Sequence, residues 1–136
     1  MATRPTLVDS SVLLDVIAAS AWREWSEAHL AAAADAGPIA INQVIYAEVA
    51  ASYRTQERLE RALSGVGVQR LNLPFSAAWR VARAFSDYRR AGGPRTIPLP
   101  DFFIGAHAAA AGLPLLTRDP SRIRTYFGEV ELVAPG

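Results

Sequence analysis

The 136-residue sequence predicts a three-layer α/β/α sandwich built on a mostly parallel sheet of four or five strands. Short apolar segments alternate along the chain with helical segments of about ten or more residues. This alternation is typical of parallel strands joined by helices that cover both faces of a sheet. The length suits a single domain spanning residues 1–136, with no room for a second independent core.

In the first half of the chain, apolar runs and helix-ending residues define five elements. Trp22, Trp25 and His29 recur at spacings of three to four residues, which places them on one face of a helix, and Gly37-Pro38 ends that helix. The predicted elements are, in order, a strand at 6–8, a helix at 10–16, a helix at 22–36, a strand at 39–41 and one long helix at 43–64.

The second half continues the alternation of strands and helices. Phe75, Trp79 and Phe85 belong to an apolar helical stripe, which we expect to face the core first and a dimer or protein partner second. Segment 101–111 is nearly all apolar and predicts a buried helix with Gly112 as its C-cap. The predicted elements are a strand at 68–73, a helix from 75 that ends before Gly92-Gly93-Pro94, the helix at 101–111, a strand at 113–117 and a fifth strand at 130–133.

Four acidic residues lie in unusually apolar stretches of sequence. Asp9 directly follows the first strand and Asp119 follows the fourth, so we expect both at the carboxyl edge of the sheet, where such folds bind ligands. Glu48 lies in the first turns of the helix after the second strand, and Asp101 opens the buried helix. The proposed topology therefore directs all four carboxylates to one edge of the sheet.

Four ionised carboxylates in one pocket repel one another, by roughly 4 kcal/mol per pair at about 4 Å and an effective dielectric of about 20. Such a pocket requires protons or a cation. Oxygen ligands without His or Cys favour hard ions, which predicts Mg²⁺ or Mn²⁺ rather than Zn²⁺. Each acid also has a local explanation: helix capping for Asp9, the helix dipole for Asp101, a turn for Asp119 and an arginine ion pair for Glu48.

The composition excludes several classes of chemistry. The chain has no cysteine, which rules out thiol catalysis and zinc–thiolate centres, and all 14 basic residues are arginine, which rules out lysine-dependent mechanisms. The N-terminal segment lacks the apolar core of a signal peptide, and no apolar run approaches the roughly 18 to 20 residues of a membrane span. We therefore expect a cytoplasmic protein that does not associate with membranes.

Four short motifs occur in a fixed order along the chain. They are Leu7-Val8-Asp9-Ser10-Ser11-Val12-Leu13, Tyr46-Ala47-Glu48-Val49, Leu99-Pro100-Asp101-Phe102-Phe103-Ile104-Gly105-Ala106-His107-Ala108 and Leu115-Leu116-Thr117-Arg118-Asp119. Together they resemble the PIN-domain nucleases, specifically the VapC-type toxins of prokaryotic toxin–antitoxin pairs. The resemblance spans about residues 6–133 and implies a parallel sheet sandwiched by helices, metal-dependent cleavage of RNA, a homodimer and inhibition by a cognate antitoxin protein.

The resemblance also implies roles for individual residues. Glu48 matches the family's acid on the third helix, which binds metal directly or through water. Many relatives carry another acid just after the last motif, whereas Pro120-Ser121-Arg122 follows here, which leaves the number of metal ions open. The implied metal-binding aspartates are Asp9, Asp101 and Asp119, and the hydroxyl residues implied to orient the site are Ser11 and Thr117.

A negatively charged pocket needs cations at its rim if it is to accept a nucleic-acid backbone. Arg118, next to Asp119, is the first candidate for a phosphate contact. His107 lies about two helical turns beyond Asp101 and on a different face, and we expect it, like His29, to serve packing rather than catalysis. The weaker candidates for a phosphate contact are Arg89, Arg90, Arg95 and Arg122.

Two other interpretations of the same residues remain. An acidic pocket that only binds a partner's arginine would make the chain a non-catalytic interaction module of the same fold. An aspartate after the first strand also suits a phosphatase, but haloacid-dehalogenase-like enzymes need a second Asp at the position of Ser11, and receiver domains need a lysine. The turn Asp9-Ser10-Ser11-Val12 lacks the glycines of a dinucleotide-binding loop.

Overall fold

A parallel sheet of five short strands organises the computed structural model of the chain, which describes residues 4–93 and 99–136. The strand order is β3-β2-β1-β4-β5, and every neighbouring pair is parallel. The predicted α/β fold class is confirmed. The strands are β1 (Thr6–Val8), β2 (Ile39–Ile41), β3 (Gln69–Arg70), β4 (Leu115–Leu116) and β5 (Leu132–Val133).

The strand order reverses at β1. From β1 the chain moves outward to β2 and β3, and it then returns to place β4 on the other side of β1. Leu7 of β1 pairs with Ala40 of β2 and with Leu115 of β4, so β1 is hydrogen-bonded on both edges. In open α/β sheets ligands bind beyond the carboxyl ends of the strands at such a reversal, which here lies between β1 and β4.

The strands are connected by helices over the part of the chain that the structure describes. Two of these helices carry predicted site acids: Asp101 lies in the first turn of α6, whereas Glu48 lies in the second half of α3. No helix among the described residues is long and apolar enough to cross a membrane. The helices are α1 (Ser10–Ala18), α2 (Arg23–Ala36), α3 (Gln43–Ala50), α4 (Gln56–Val66), α5 (Phe75–Arg90), α6 (Leu99–Ala111) and α7 (Ser121–Tyr126).

The prediction of one long helix at 43–64 is wrong, because the segment folds as two helices, α3 and α4. Thr55 has extended backbone angles and caps α4, since its side chain accepts a hydrogen bond from the Arg58 N–H at 3.3 Å. The Tyr46 hydroxyl of α3 donates to Glu60 of α4 at 2.7 Å. The capping residue and this contact between the helices account for the break, which hydrophobic periodicity does not reveal.

The remaining predicted elements exist; the strands at 6–8 and 39–41 have the predicted bounds, whereas several other elements differ in theirs. The strands predicted at 68–73, 113–117 and 130–133 each shorten to two residues. The predicted turn at Asp119-Pro120-Ser121 leads into a further helix, α7, which was not predicted. The helix beginning at Phe75 continues to Arg90, and Gly92 then takes a positive φ of 82°. Pro94, which belonged to the predicted helix stop, lies outside the described residues.

Helix α6 is buried, as its sequence predicted, whereas the apolar stripe of α5 is not. Phe75 and Trp79 are 96% and 69% exposed. The face of α5 that enters the core is a neighbouring one, formed mainly by small residues and one aromatic ring. Its spacing of three to four residues is as regular as that of the exposed stripe, so periodicity alone could not separate the two faces. The buried residues of α5 are Ala77, Val81, Ala84 and Tyr88.

Close packing of α6 against α7 depends on the absence of a side chain at Gly105. A Cβ added at Gly105 would lie 2.5 Å from the Phe127 ring and 2.9 Å from Ile123. We therefore expect Gly105→Ala to lower the free energy of unfolding by about 1 to 3 kcal/mol, although alanine is the better helix former. Chemical denaturation of both proteins measures the difference.

Gly65 of α4 provides the matched control, because a Cβ added there meets nothing within 4 Å. Gly65→Ala should leave stability unchanged or raise it by up to about 1 kcal/mol. Equal effects of the two substitutions would contradict the proposed role of Gly105 in packing.

Candidate active site

The site lies at the reversal of strand order, where the ends of β1 and β4 are joined by backbone hydrogen bonding. The Asp9 N–H donates to the Leu116 carbonyl at 2.9 Å, which continues the β1–β4 pairing by one step. Asp9 is therefore fixed at the carboxyl edge by the backbone, and its side chain is 8% exposed. Thr117 and Asp119 leave β4 at the same edge.

Two hydroxyl groups hold the Asp9 carboxylate. Its Oδ2 accepts from Ser11 Oγ at 2.7 Å and from Thr117 Oγ1 at 2.8 Å. The Asp119 N–H donates to the same Thr117 hydroxyl at 3.1 Å, so one threonine connects two of the predicted metal ligands. Asp9 makes no side-chain capping bond to α1, which argues against the local explanation that its carboxylate caps that helix.

Glu48 extends from α3 towards the start of α1. Its Oε1 accepts a hydrogen bond from Ser10 Oγ at 2.8 Å. Burial raises the pKa of Glu48 above its ordinary value; the Ser10 hydrogen bond opposes this, and the negative charges of Asp9 and Asp101 add to it. Glu48 thus lies close to the charges of both aspartates, and no arginine among the described residues forms an ion pair with it.

Asp101, in the first turn of α6, is coupled to two other acids. Burial raises its pKa, and the charges of Asp9 and Asp119 raise it further, while Arg122 acts in the opposite direction. Burial is the larger cause of the raised pKa values of Asp101 and Glu48, and neighbouring negative charge adds to it. A bound cation would oppose both contributions.

Two of the four carboxylates are paired with arginine in this structure. Arg122 of α7 lies 3.2 Å from Asp101 Oδ2, and Arg118 lies 3.4 Å from Asp119 Oδ1. Over residues 4–93 and 99–136, no three His, Cys, Asp or Glu side chains are grouped closely enough to hold an ion as they stand. Binding of one ion by three of these acids therefore requires at least one of their side chains to move.

The donor chemistry of the site fits a hard divalent cation. The groups at the sheet edge are carboxylate and hydroxyl oxygens, and the chain has no cysteine. Oxygen ligands with excess negative charge match Mg²⁺ or Mn²⁺ better than Zn²⁺. The residues that could hold such an ion are Asp9, Asp101, Asp119 and Glu48.

A fifth acid, Asp15 of α1, contacts the rim of the site and was not predicted from the sequence. It is 2% exposed and accepts hydrogen bonds from Ser20 and Ser26, each at 2.7 Å, and from Arg118 Nε at 2.8 Å. Burial alone would raise its pKa, but these hydrogen bonds and the Arg118 charge lower it overall. The signal was present in the sequence, because Asp15 also lies in an apolar run, Leu13-Leu14-Asp15-Val16-Ile17.

The two histidines occupy structural positions. His107 is buried, and its Nδ1 lies 3.0 Å from Asn42 Nδ2, which identifies Nδ1 as the acceptor. Asn42 in turn caps α3 by accepting from the Ile45 N–H at 3.0 Å. Burial lowers the pKa of His107. His29 stacks on Trp25 with ring centroids 4.1 Å apart.

The other arginines considered as phosphate contacts have separate surroundings. Arg90 lies 3.9 Å from Asp87, and Arg89 lies over the Phe85 ring. Arg95 lies outside the described residues. Among the described candidates, Arg118 and Arg122 are therefore the two whose side chains contact the predicted carboxylates.

Comparison with known proteins relates this fold and site to a family. A sequence model of the PIN domain matches residues 6–128. A toxin–antitoxin complex from Klebsiella pneumoniae contains a similar chain with 26% identity and a TM-score of 0.65, over 96% of this chain and 98% of that chain. No curated protein matches the chain.

Two further solved structures share the fold at lower identity. In VapBC2 from Rickettsia felis, bound to a promoter DNA fragment, the similar chain is 15% identical with a TM-score of 0.74, covering 96% of this chain and 98% of that chain. In VapBC-5 from Mycobacterium tuberculosis it is 20% identical with a TM-score of 0.60, covering 97% and 98%.

The raised pKa of Glu48 has a consequence for stability. A carboxyl group whose pKa is raised by folding stabilises the folded state below its unfolded pKa of about 4, and this contribution is lost as pH rises through the folded-state value. In metal-free buffer at neutral pH, we expect Glu48→Gln to raise the free energy of unfolding by about 0.5 to 1 kcal/mol, since the site remains partly exposed.

Denaturation at several pH values in EDTA and in Mn²⁺ measures this effect. The gain should vanish near pH 4 and should shrink when Mn²⁺ supplies the missing positive charge. Asp87→Asn, which neutralises an exposed acid of α5, is the control and should show neither trend. A gain that is independent of both pH and metal would contradict electrostatic repulsion as the cause.

Proposed function

The chain belongs to the PIN-domain family, and from this premise we propose that it is a Mg²⁺- or Mn²⁺-dependent endoribonuclease, the toxin of a type II toxin–antitoxin pair. The observation that carries the proposal is the convergence of Asp9, Glu48, Asp101 and Asp119 on the carboxyl edge of β1 and β4. There the Thr117 hydroxyl links Asp9 to Asp119, and neighbouring acids raise the pKa values of Glu48 and Asp101. Acidic residues with no shared role would not be expected to come from four separate parts of the chain to one edge of the sheet.

In the proposed mechanism Asp9, Asp101 and Asp119 would hold the cation. When bound, a divalent cation polarises a phosphodiester and lowers the pKa of a water nucleophile. Ser11 and Thr117 keep the Asp9 carboxylate in a fixed orientation, because both donate to its Oδ2 and so limit its rotation. Its other oxygen accepts no hydrogen bond from the described residues and can face a ligand.

Glu48 would act as the base in this mechanism. Ser10 engages Oε1, so Oε2 is the atom available to take a proton from the attacking water. A carboxylate beside the ion can take up this proton without a histidine base. Cleavage by water would leave a 5′-phosphate and a 3′-hydroxyl, as the family resemblance implies.

The family and the complexes in which similar chains were solved support three further parts of the proposal. These are the toxin role, the antitoxin partner and the homodimer. The similar chains from Klebsiella pneumoniae, Rickettsia felis and Mycobacterium tuberculosis were all solved in toxin–antitoxin complexes or systems. An RNA substrate and a cognate antitoxin would both be met in the cytoplasm, where we place the protein.

A second function is favoured by a specific observation. Asp101 and Asp119 already bind the guanidinium groups of Arg122 and Arg118, so the pocket can accept arginine. A non-catalytic module that captures a partner's arginine would use the same carboxylates. A phosphatase that uses Asp9 as phosphoryl acceptor is less consistent with the site, because two hydroxyls hold that carboxylate and Ser11 stands where a second Asp is needed.

The nuclease proposal predicts that the purified protein cleaves single-stranded RNA in Mn²⁺ or Mg²⁺ and is inactive in EDTA. Asp9→Asn and Asp101→Asn should each reduce the cleavage rate by roughly 100-fold or more, because each removes a charged ligand. Gel analysis of a labelled RNA measures the rate, and thermal melting checks the fold. Asp87→Asn is the matched control and should retain full activity.

The same measurement separates the two functions. A folded protein that binds Mn²⁺ weakly or not at all and cleaves no RNA would eliminate the nuclease and leave the arginine-binding module.

The toxin proposal predicts growth arrest when the chain is expressed alone in bacteria. Asp9→Asn should relieve the arrest, because the effect depends on cleavage, whereas Asp87→Asn should not. Colony counts after induction measure the outcome, and immunoblots confirm equal protein levels. Growth arrest that persists with Asp9→Asn would show that the toxicity does not come from cleavage at this site.

A further inference from the structure

We propose that Asp15 is a positioning residue that holds Arg118 at the rim of the carboxylate pocket, as an arm that binds a phosphate of the RNA strand. The inference rests on the proposed nuclease function, because it assigns the substrate contact of the same site. It assigns a role to a buried acid that lies outside the four sequence motifs.

Asp15 is built to remain ionised although it is 2% exposed. A buried carboxylate is costly unless it is paired and hydrogen-bonded. Ser20 donates to Oδ1, while Ser26 and Arg118 Nε donate to Oδ2, so both oxygens are occupied. The two serines lie in or beside α2, and Arg118 follows β4, so three parts of the chain converge on this one carboxylate.

Asp15 contacts the Nε nitrogen of the Arg118 guanidinium and not its two terminal nitrogens. Nε is the atom bonded to Asp15, at 2.8 Å, while Nη1 turns towards Asp119 at 3.4 Å. Nη2 has no partner among the residues that the structure describes, and the side chain is 27% exposed. The pair with Asp15 is therefore a single hydrogen bond through Nε rather than a bidentate pair, and it leaves Nη2 available to a ligand.

The rest of Arg118 is fixed as well. Its backbone N–H donates to Ser11 Oγ at 3.2 Å, and its guanidinium lies 5.9 Å from the centroid of the Trp22 ring. Ser11 also donates to Asp9, so the arm and the predicted metal site share one hydroxyl. A guanidinium held in place before the ligand arrives loses little conformational freedom on binding phosphate. These contacts point to Arg118 as a preorganised phosphate ligand.

RNA binding in EDTA tests the arm without relying on cleavage. We would measure fluorescence anisotropy of a labelled single-stranded RNA with the unmodified protein, Asp15→Asn, Arg118→Ala and the double variant, at several salt concentrations. Arg118→Ala should weaken binding roughly tenfold and reduce the salt slope by about 0.7, the value for one phosphate contact on a single strand.

The direction in which Asp15→Asn changes the RNA affinity is itself a test. It removes a negative charge, so bulk electrostatics alone would strengthen RNA binding. We expect weaker binding, by about three- to tenfold, because Arg118 loses its anchor. In the Arg118→Ala background, Asp15→Asn should have no further effect, since it acts through that arginine. Mn²⁺ affinity measured without RNA should be unchanged by Asp15→Asn.

Two controls separate positioning from general loosening. Ser26→Ala removes one hydrogen bond to Asp15 but leaves the Arg118 contact, so it should lower the melting temperature and leave the salt slope unchanged. Asp87→Asn removes an exposed charge elsewhere and should bind RNA as tightly as the unmodified protein, or slightly more tightly.

If Asp15→Asn does not fold, Arg118→Lys serves instead. It keeps the charge but has one ammonium group for both partners, and should weaken binding as Asp15→Asn would.

The outcomes are distinct from those of the nuclease test. Tighter binding by Asp15→Asn, an additive effect in the double variant, or no RNA binding by the unmodified protein would each overturn the arm. A protein that shows the expected binding pattern yet cleaves no RNA in Mn²⁺ would retain the arm and lose the proposed catalytic function.

Discussion

The pairing of β1 with β4 is the constraint on which the rest of the structure depends. Two short apolar strands, buried at every position except Thr6, bring together residues more than 100 positions apart in the sequence. The hydrogen bond from the Asp9 N–H to Leu116 extends that pairing to the point where the strands end. The Thr117 hydroxyl then meets the Asp9 carboxylate without any loop having to be positioned independently. A few apolar residues thus determine the geometry of the acidic pocket.

The acids near this edge fall into two groups that differ in how their charge is balanced. Asp15 has partners on both oxygens, and its pKa is lowered despite burial. Glu48 and Asp101 have fewer partners, and their pKa values are raised by burial and by neighbouring acids. A carboxylate that the protein satisfies is suited to holding another side chain in place. A carboxylate that it leaves unbalanced is suited to binding something from outside.

The features that depend on residue pattern and motif order could be predicted from the sequence, whereas those that depend on side-chain contacts could not. Alternating apolar runs were sufficient to predict the parallel sheet, and the topology that they imply was sufficient to direct four acids to one edge. Periodicity could not show that α3 ends at Ala50 and that Thr55 begins a second helix. Nor could it show that α5 buries Ala77 and Val81 while Phe75 faces solvent. It also could not show which arginines pair with which acids, because that depends on the short helix α7 and on rotamers that no spacing specifies.

The arginines explain why the nuclease and the arginine-binding interpretations draw on the same residues. A pocket with excess negative charge attracts any suitable cation, and Arg118 and Arg122 supply one from within the chain. A divalent ion and a partner's guanidinium would compete for Asp101 and Asp119, both with each other and with these internal arginines. Arg122, which is 49% exposed and contacts the pocket only through Asp101, is the easier of the two to displace. Arg118 is anchored by Asp15, so it would remain beside the pocket after Asp119 had turned to an ion. The anchored arginine is then in position to meet the substrate, whereas the exposed one is in position to yield.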